Sequence, residues 1–105
     1  MAYTTIAKPS AHFESDLYAG SASTTTITGI GFKPDLIWTK NRTHDGSNWN
    51  VVDSTRGYTK NFRTNDNTLE STDTKVASFT SDGLTLTGGV LETNTASDYY
   101  IQNLW

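Results

Sequence analysis

The densest group of polar side chains in this 105-residue chain is Lys40-Asn41-Arg42-Thr43-His44-Asp45, followed at once by Gly46-Ser47-Asn48-Trp49. Two readings attach to it. In one, Arg42 and Asn41 grip sugar hydroxyls while Trp49 offers a stacking face, since an aromatic ring beside amides presents an apolar surface with polar edges. In the other, the stretch is a strand end and a loop whose cations pair with nearby carboxylates. A second group, Asp53-Ser54-Thr55-Arg56-Gly57, has the composition of a turn: Asp53 accepts hydrogen bonds from the backbone N–H groups of residues 55 and 56, and Gly57 completes the reversal. Arg56 then forms a bidentate pair with a carboxylate such as Asp53 or Glu70. Lys40, Asn41, Arg42, Asp53 and Arg56 are expected to form an internal frame joining the ends of neighbouring strands, with Lys40 and Arg42 on one strand face because alternate residues share a face.

Neither a catalytic residue nor a cofactor or metal site is expected, and the chain does not read as an enzyme. Catalysis by Asp53 requires a second carboxylate or a base at defined range, and no motif supplies one. There is no G-x-S-x-G, phosphate loop or H-E-x-x-H. His12 and His44 are the only imidazoles, with no ligand spacing around them, and Asn65-Asp66-Asn67 lacks the Gly and closing Glu of a calcium loop. The absence of Cys removes disulfides, thiolate zinc sites and thiol nucleophiles. Eight basic against eleven acidic residues argue against nucleic acid as a partner. No apolar run approaches the ~18 residues of a membrane span, and the start lacks the basic-then-apolar profile of a signal peptide. The protein is therefore expected to be made in the cytoplasm and to reach any outside destination by assembly into a particle.

The elements that position these groups are strands. There are 19 Thr, 10 Ser and 8 Asn, and the 12 aromatic residues with only 18% charge favour a folded, half-buried pleated surface over disorder. Turn-forming residues punctuate the chain, and between them lie eight short segments: 16–19, 24–28, 36–40, 49–52, 58–62, 75–80, 84–87 and 99–105. No segment carries a helical apolar period, apart from a single turn within 9–15 capped by Ser10. This spacing is that of an antiparallel sandwich or small barrel, and a single all-β domain over 1–105, a sandwich of the jelly-roll or lectin-like kind with an irregular arm over about 1–15, is the fold expected. Its clearest unit is the hairpin 76–87, turning at Thr80-Ser81-Asp82-Gly83. The core is expected from Leu17, Ile27, Ile30, Phe32, Leu36, Trp38, Val51, Phe62, Val76, Phe79, Leu84, Leu86, Tyr100 and Leu104. A core this thin, with no covalent staple, points to support from a protein neighbour, hence a homo-oligomer, a trimer first.

Several ordered motifs resemble one family. Met1-Ala2-Tyr3-Thr4-Thr5-Ile6-Ala7-Lys8-Pro9-Ser10 with Leu17-Tyr18-Ala19-Gly20-Ser21 is similar to the start of a family of tailed-phage virion proteins of marine and cyanobacterial viruses. Gly31-Phe32-Lys33-Pro34-Asp35-Leu36-Ile37-Trp38-Thr39-Lys40-Asn41-Arg42 resembles its most recognisable signature, and Asp53-Ser54-Thr55-Arg56-Gly57-Tyr58-Thr59-Lys60 and Ser78-Phe79-Thr80-Ser81-Asp82-Gly83-Leu84-Thr85-Leu86 resemble later motifs. The resemblance implies a β-sandwich, lectin-like in outline, carried on the outside of a phage particle. The close departs from the family's usual Tyr-Val-Ala-Trp-x-Trp, reading Tyr100-Ile101-Gln102-Asn103-Leu104-Trp105, and 88–97 is shorter than usual. These departures favour a capsid decoration or cement protein over a long fibre. The expectation is thus a structural protein of the virion exterior whose partners are other virion proteins. The alternative is a tail-fibre module that recognises a host-surface glycan.

Overall fold

The computed structural model describes residues 8–105. Nine strands follow one another: β1 (Glu14–Ala19), β2 (Thr25–Ile27), β3 (Leu36–Asn41), β4 (Asn50–Asp53), β5 (Lys60–Arg63), β6 (Ser71–Thr72), β7 (Val76–Thr80), β8 (Gly83–Leu86) and β9 (Tyr99–Leu104). A large sheet has the order β1-β9-β3-β4-β5-β6 and a small one the order β2-β8-β7, with every pairing antiparallel. The two pack as an all-β sandwich of unequal sheets. The strand absent from the sequence reading is the two-residue β6, too short to carry an alternation. Two details near the start differ from expectation. The irregular arm ends before Glu14, and the single turn is a 3-10 helix, Pro9–Ala11, with Lys8 at its cap position and no side-chain cap. Ser10 lies inside that turn, because Pro9, whose fixed φ suits a first helical position, starts it one residue earlier. The part of the arm and of the opening motif that falls on residues 1–7 lies outside the described residues.

The hairpin 76–87 forms as expected, with Thr80 paired to Gly83 and a register irregularity between Val76 and Ser78. Asp82 at its tip accepts hydrogen bonds from the backbone N–H groups of Gly29 (2.9 Å) and Gly31 (2.8 Å), and its carbonyl accepts one from Ile30 N–H (3.1 Å). One turn residue thereby fixes the loop that delivers Ile30 to the core. The requirement at Gly83 is space: a Cβ there would collide with the Ile27 carbonyl on the neighbouring strand β2.

The large sheet has two unlike faces. Toward the small sheet it presents Ile37, Val52 and Leu104, which meet Ile30, Val76, Phe79, Leu84 and Leu86 in the core. One row further along the same face, Gln102, Thr39 and Asn50 lie side by side, and beyond them Tyr18, Tyr100 and Asn41. This polar half is buried under residues 88–98. Tyr18 and Tyr100 stack at 5.1 Å, the Tyr18 hydroxyl donates to the Thr93 carbonyl (2.7 Å), and the Tyr100 hydroxyl donates to that of Leu91 (3.0 Å). Burial pushes the Tyr18 phenol well above its ordinary pKa and raises that of Tyr100 as well.

The opposite, uncovered face holds Leu17, Leu36, Trp38, Phe62, Tyr99 and Ile101. Four residues expected in the core therefore lie elsewhere: Leu17 is 63% exposed and Phe62 37%, while Leu36 and Trp38 are only partly covered. Val51 is buried but lies between Trp38 and Phe62 on this outer face, and Ile37 and Val52 occupy the interior instead. The cause is the strand period. Leu36-Ile37-Trp38 is apolar in both phases, so the choice of face is set by the partners that β3 acquires, not by β3 itself.

Candidate functional site

Antiparallel pairing of β3 with β4 sets Leu36 opposite Asp53 and Thr39 opposite Asn50. Asp53 thus stands beside the first residue of β3, four residues (about 13 Å) from Lys40. The expected frame of Lys40, Asn41, Arg42, Asp53 and Arg56 does not exist as one unit: in an antiparallel hairpin the end of one strand meets the beginning of the next, not its end. The structure divides the residues into two clusters at opposite ends of the hairpin, Asp53 with Arg56 at one and Lys40, Asn41, Arg42 and Trp49 at the other.

The cluster beyond β4 is a closed ionic turn. The Arg56 backbone N–H donates to Asp53 Oδ1 (2.8 Å), its Nε to Asp53 Oδ2 (2.6 Å) and its Nη1 to Glu70 Oε2 (2.6 Å). The guanidinium also lies over the Phe62 ring at 4.6 Å. Burial pushes the Asp53 carboxyl up, but the hydrogen bonds and charge of Arg56 outweigh it and leave the carboxyl below its ordinary value. With both acceptors occupied by its own neighbours, this turn holds the chain reversal and offers nothing for proton transfer.

The cluster at the other end surrounds the loop 42–49. Asn41 points inward: Nδ2 donates to the Leu91 carbonyl (2.9 Å) and to Asp98 Oδ2 (2.8 Å), and Oδ1 accepts the N–H groups of Thr43 (2.9 Å) and His44 (3.0 Å). It folds the loop back and is itself sealed away. Lys40 points outward and donates through Nζ to the Ser47 carbonyl. Arg42 pairs through its backbone with the Tyr99 carbonyl (2.7 Å), yet among the described residues its guanidinium has no carboxylate or hydrogen-bond partner. Trp49 is positioned by a bond from its N–H to Asn65 Oδ1 (3.0 Å) and by its ring against Trp38 at 5.0 Å. Lys40, Arg42, His44, Asp45, Trp49 and Ile101 line an open pocket of about 600 Å³.

The sequence reading missed a second depression, about 440 Å³, on the outer face between Leu36, Trp38, Val51, Phe62 and Trp105. Phe13 packs against Trp105 beside it, with ring centroids 5.1 Å apart. It is almost wholly apolar. The signal was present as the excess of Trp and Phe over what so small an interior holds, but hydrophobicity alone assigns those residues inward. Also missed was Lys75, buried between Asp73 and Glu92 with both carboxylates 3.3 Å from Nζ.

Among the described residues no three His, Cys, Asp or Glu side chains gather as a metal site, and no helix is long and apolar enough to cross a membrane. No curated protein and no solved structure matches the chain. A model of a domain of unknown function, DUF7483, matches residues 8–105, and the chain belongs to that family.

Proposed function

We propose that this is a structural protein on the outside of a bacteriophage virion, a capsid-decoration or tail-associated subunit that acts by protein–protein assembly. The observation that carries the assembly reading is the inverted polarity of the large sheet. Asn, Gln and Thr fill half of its covered face, while Leu, Trp, Phe and Tyr stand on the uncovered one. Contiguous apolar surface of this kind marks interaction sites on small soluble domains. The virion setting is supported by the resemblance of the signature 31–42 and the later motifs to tailed-phage virion proteins.

The occupant we assign to the face is a second copy of the chain. A pleated sheet is complementary to another like itself and stacks at about 10 Å with strands nearly aligned. Contact centred on Trp38, Val51, Phe62 and Trp105 joins identical patches, so it makes a two-fold pair, not the trimer expected from the thin core. Sedimentation of the wild-type chain is expected to show a concentration-dependent dimer, and Phe62→Asp a folded monomer whose melting temperature falls because the ring also lies under Arg56. A wild-type monomer at high micromolar concentration, or a Phe62→Asp dimer, overturns the contact. Mass spectrometry of purified particles tests the virion setting, and absence of the chain from them rejects it.

A further inference from the structure

We infer that the pocket at the end of the β3–β4 hairpin binds a carboxylated sugar, its ring on Trp49 and its carboxylate on Arg42. This goes beyond assembly and gives the glycan-recognition alternative a definite ligand class. The pocket of about 600 Å³ lies in the ordinary range for small-ligand sites. It opens at the hairpin end of the outer face and borders the patch around Phe62, since its wall Trp49 packs on Trp38 of that patch, so the sugars are titrated at a concentration where the chain is monomeric.

The chemistry follows from which groups are already engaged. Asn41 is consumed by the loop it folds, with both its amide nitrogen and its oxygen bonded inside the protein. Lys40 has one partner in the Ser47 carbonyl and retains donors, because an ammonium carries three. Arg42 retains its whole fork, a planar set of donors matched to a carboxylate. Every other arginine pairs with an acid, Arg56 with Asp53 and Glu70 and Arg63 with Asp66, so the unpaired one in the pocket stands out among the described residues. Beside it, Trp49 is half-buried and held at an angle of 50° by Trp38, an apolar wall fixed in place before any ligand arrives.

The remaining residues narrow the class. Asp45 on the rim accepts hydrogen bonds from hydroxyls but repels a second negative charge. With a net charge of −3 on the chain, polyanions such as nucleic acid or heavily sulfated chains are disfavoured. One carboxylate, several hydroxyls and a ring with an apolar face satisfy Arg42, Asp45 and Trp49 together. Hexuronic acids have that composition.

The probes are glucuronic acid and its neutral counterpart glucose, each titrated into the 105-residue chain while the indole N–H resonances are followed. Trp105, whose ring packs on Phe13 at the opposite end of the sheet and does not line the pocket, serves as the internal reference. Glucuronic acid is expected to shift the Trp49 resonance and to bind about tenfold or more tightly than glucose. Arg42→Ala should remove that preference without lowering the melting temperature, and Arg42→Lys should restore only part of it, since an ammonium gives no bidentate pair. Trp49→Phe, followed by calorimetry because it lacks the indole N–H, keeps an aromatic ring against Trp38 while weakening affinity for both sugars. If both sugars bind equally and Arg42→Ala changes nothing, the acidic class is wrong and glycan recognition survives. If neither sugar moves Trp49 at tens of millimolar, both are wrong.

Discussion

Arg56 and Asp53 are joined twice, once through the backbone N–H of Arg56 and once through its Nε, so the two residues close a ring at the end of β4. Glu70 holds the far side of the guanidinium and Phe62 lies under its face. The Asp53 side chain is 17% exposed and that of Arg56 28%, which places the pair between surface bridges, worth ~0–1 kcal/mol, and buried ones, whose breaking costs ~3–5 kcal/mol. Asp53→Ala and Arg56→Ala are each expected to destabilise the chain by about 1–3 kcal/mol, measured by urea unfolding. Arg56→Lys should recover little, because an ammonium cannot hold Asp53 and Glu70 with the same fork. Variants that unfold like the wild type show the ring to be dispensable.

The elements were legible in the chain and the faces were not. Thr80-Ser81-Asp82-Gly83 marks its hairpin because the turn residues and the flanking Phe79 and Leu84 agree on one local structure. The Asp53–Arg56 turn is legible for the same reason, since its partners lie three residues apart. Leu17 and Trp38 were assigned inward on hydrophobicity alone, because which face a strand buries depends on distant segments, here 88–98 and the small sheet. The role of Asn41 depends on Leu91 and Asp98, 50 and 57 residues away, contacts that no local pattern records.

Gly83 tests the sandwich itself. Its backbone passes so close to the Ile27 carbonyl that a methyl group must push β2 off β8. Gly83→Ala is expected to cost ~2–3 kcal/mol, the scale of an overpacked core, and to lower the melting temperature by roughly 10–20 °C at this chain length. Gly46→Ala is the control: its φ of +77° is strained for alanine, but a Cβ there meets nothing, so about 1 kcal/mol is expected. Equal effects at the two sites are incompatible with a close approach at Gly83.

Stability should fall at both ends of the pH scale for identifiable reasons. The backbone N–H groups of Gly29 and Gly31 hold the Asp82 carboxyl below its ordinary value, and Arg56 does so for Asp53 against the opposing effect of burial. Carboxylates depressed in the folded state contribute fully above the unfolded value of ~3.9 and lose that contribution as pH falls through the folded values. Tyr18 acts in the opposite sense: burial raises its phenol, so the unfolded chain ionises first near pH ~10 and stability declines above that point. A melting curve measured at intervals of pH should be flat through neutrality and drop below about 4 and above about 10. Asp82→Asn should weaken the acid branch and Tyr18→Phe the alkaline one, and a Tyr18→Phe profile identical to the wild type above pH ~10 excludes Tyr18 as the cause.

Ile37 on β3 and Leu17 on β1 separate the two faces experimentally. Ile37 lies fully buried between Val52 and Leu104, and truncating it leaves a cavity that the paired strands cannot close. Ile37→Ala is expected to cost about 2–5 kcal/mol. Leu17 sits on the outer face opposite Ile101, at the edge strand, so Leu17→Ser removes little buried surface and should change stability by no more than about 0.5 kcal/mol. Both are measured by urea unfolding at low micromolar concentration, where self-association of the outer face contributes least. The contrast cannot come from hydrophobicity, because leucine and isoleucine differ little in that respect, so it reports which side of the large sheet the chain buries. A Leu17→Ser variant as damaged as Ile37→Ala requires the outer face to be covered within the monomer itself, and with it the assembly reading loses its surface.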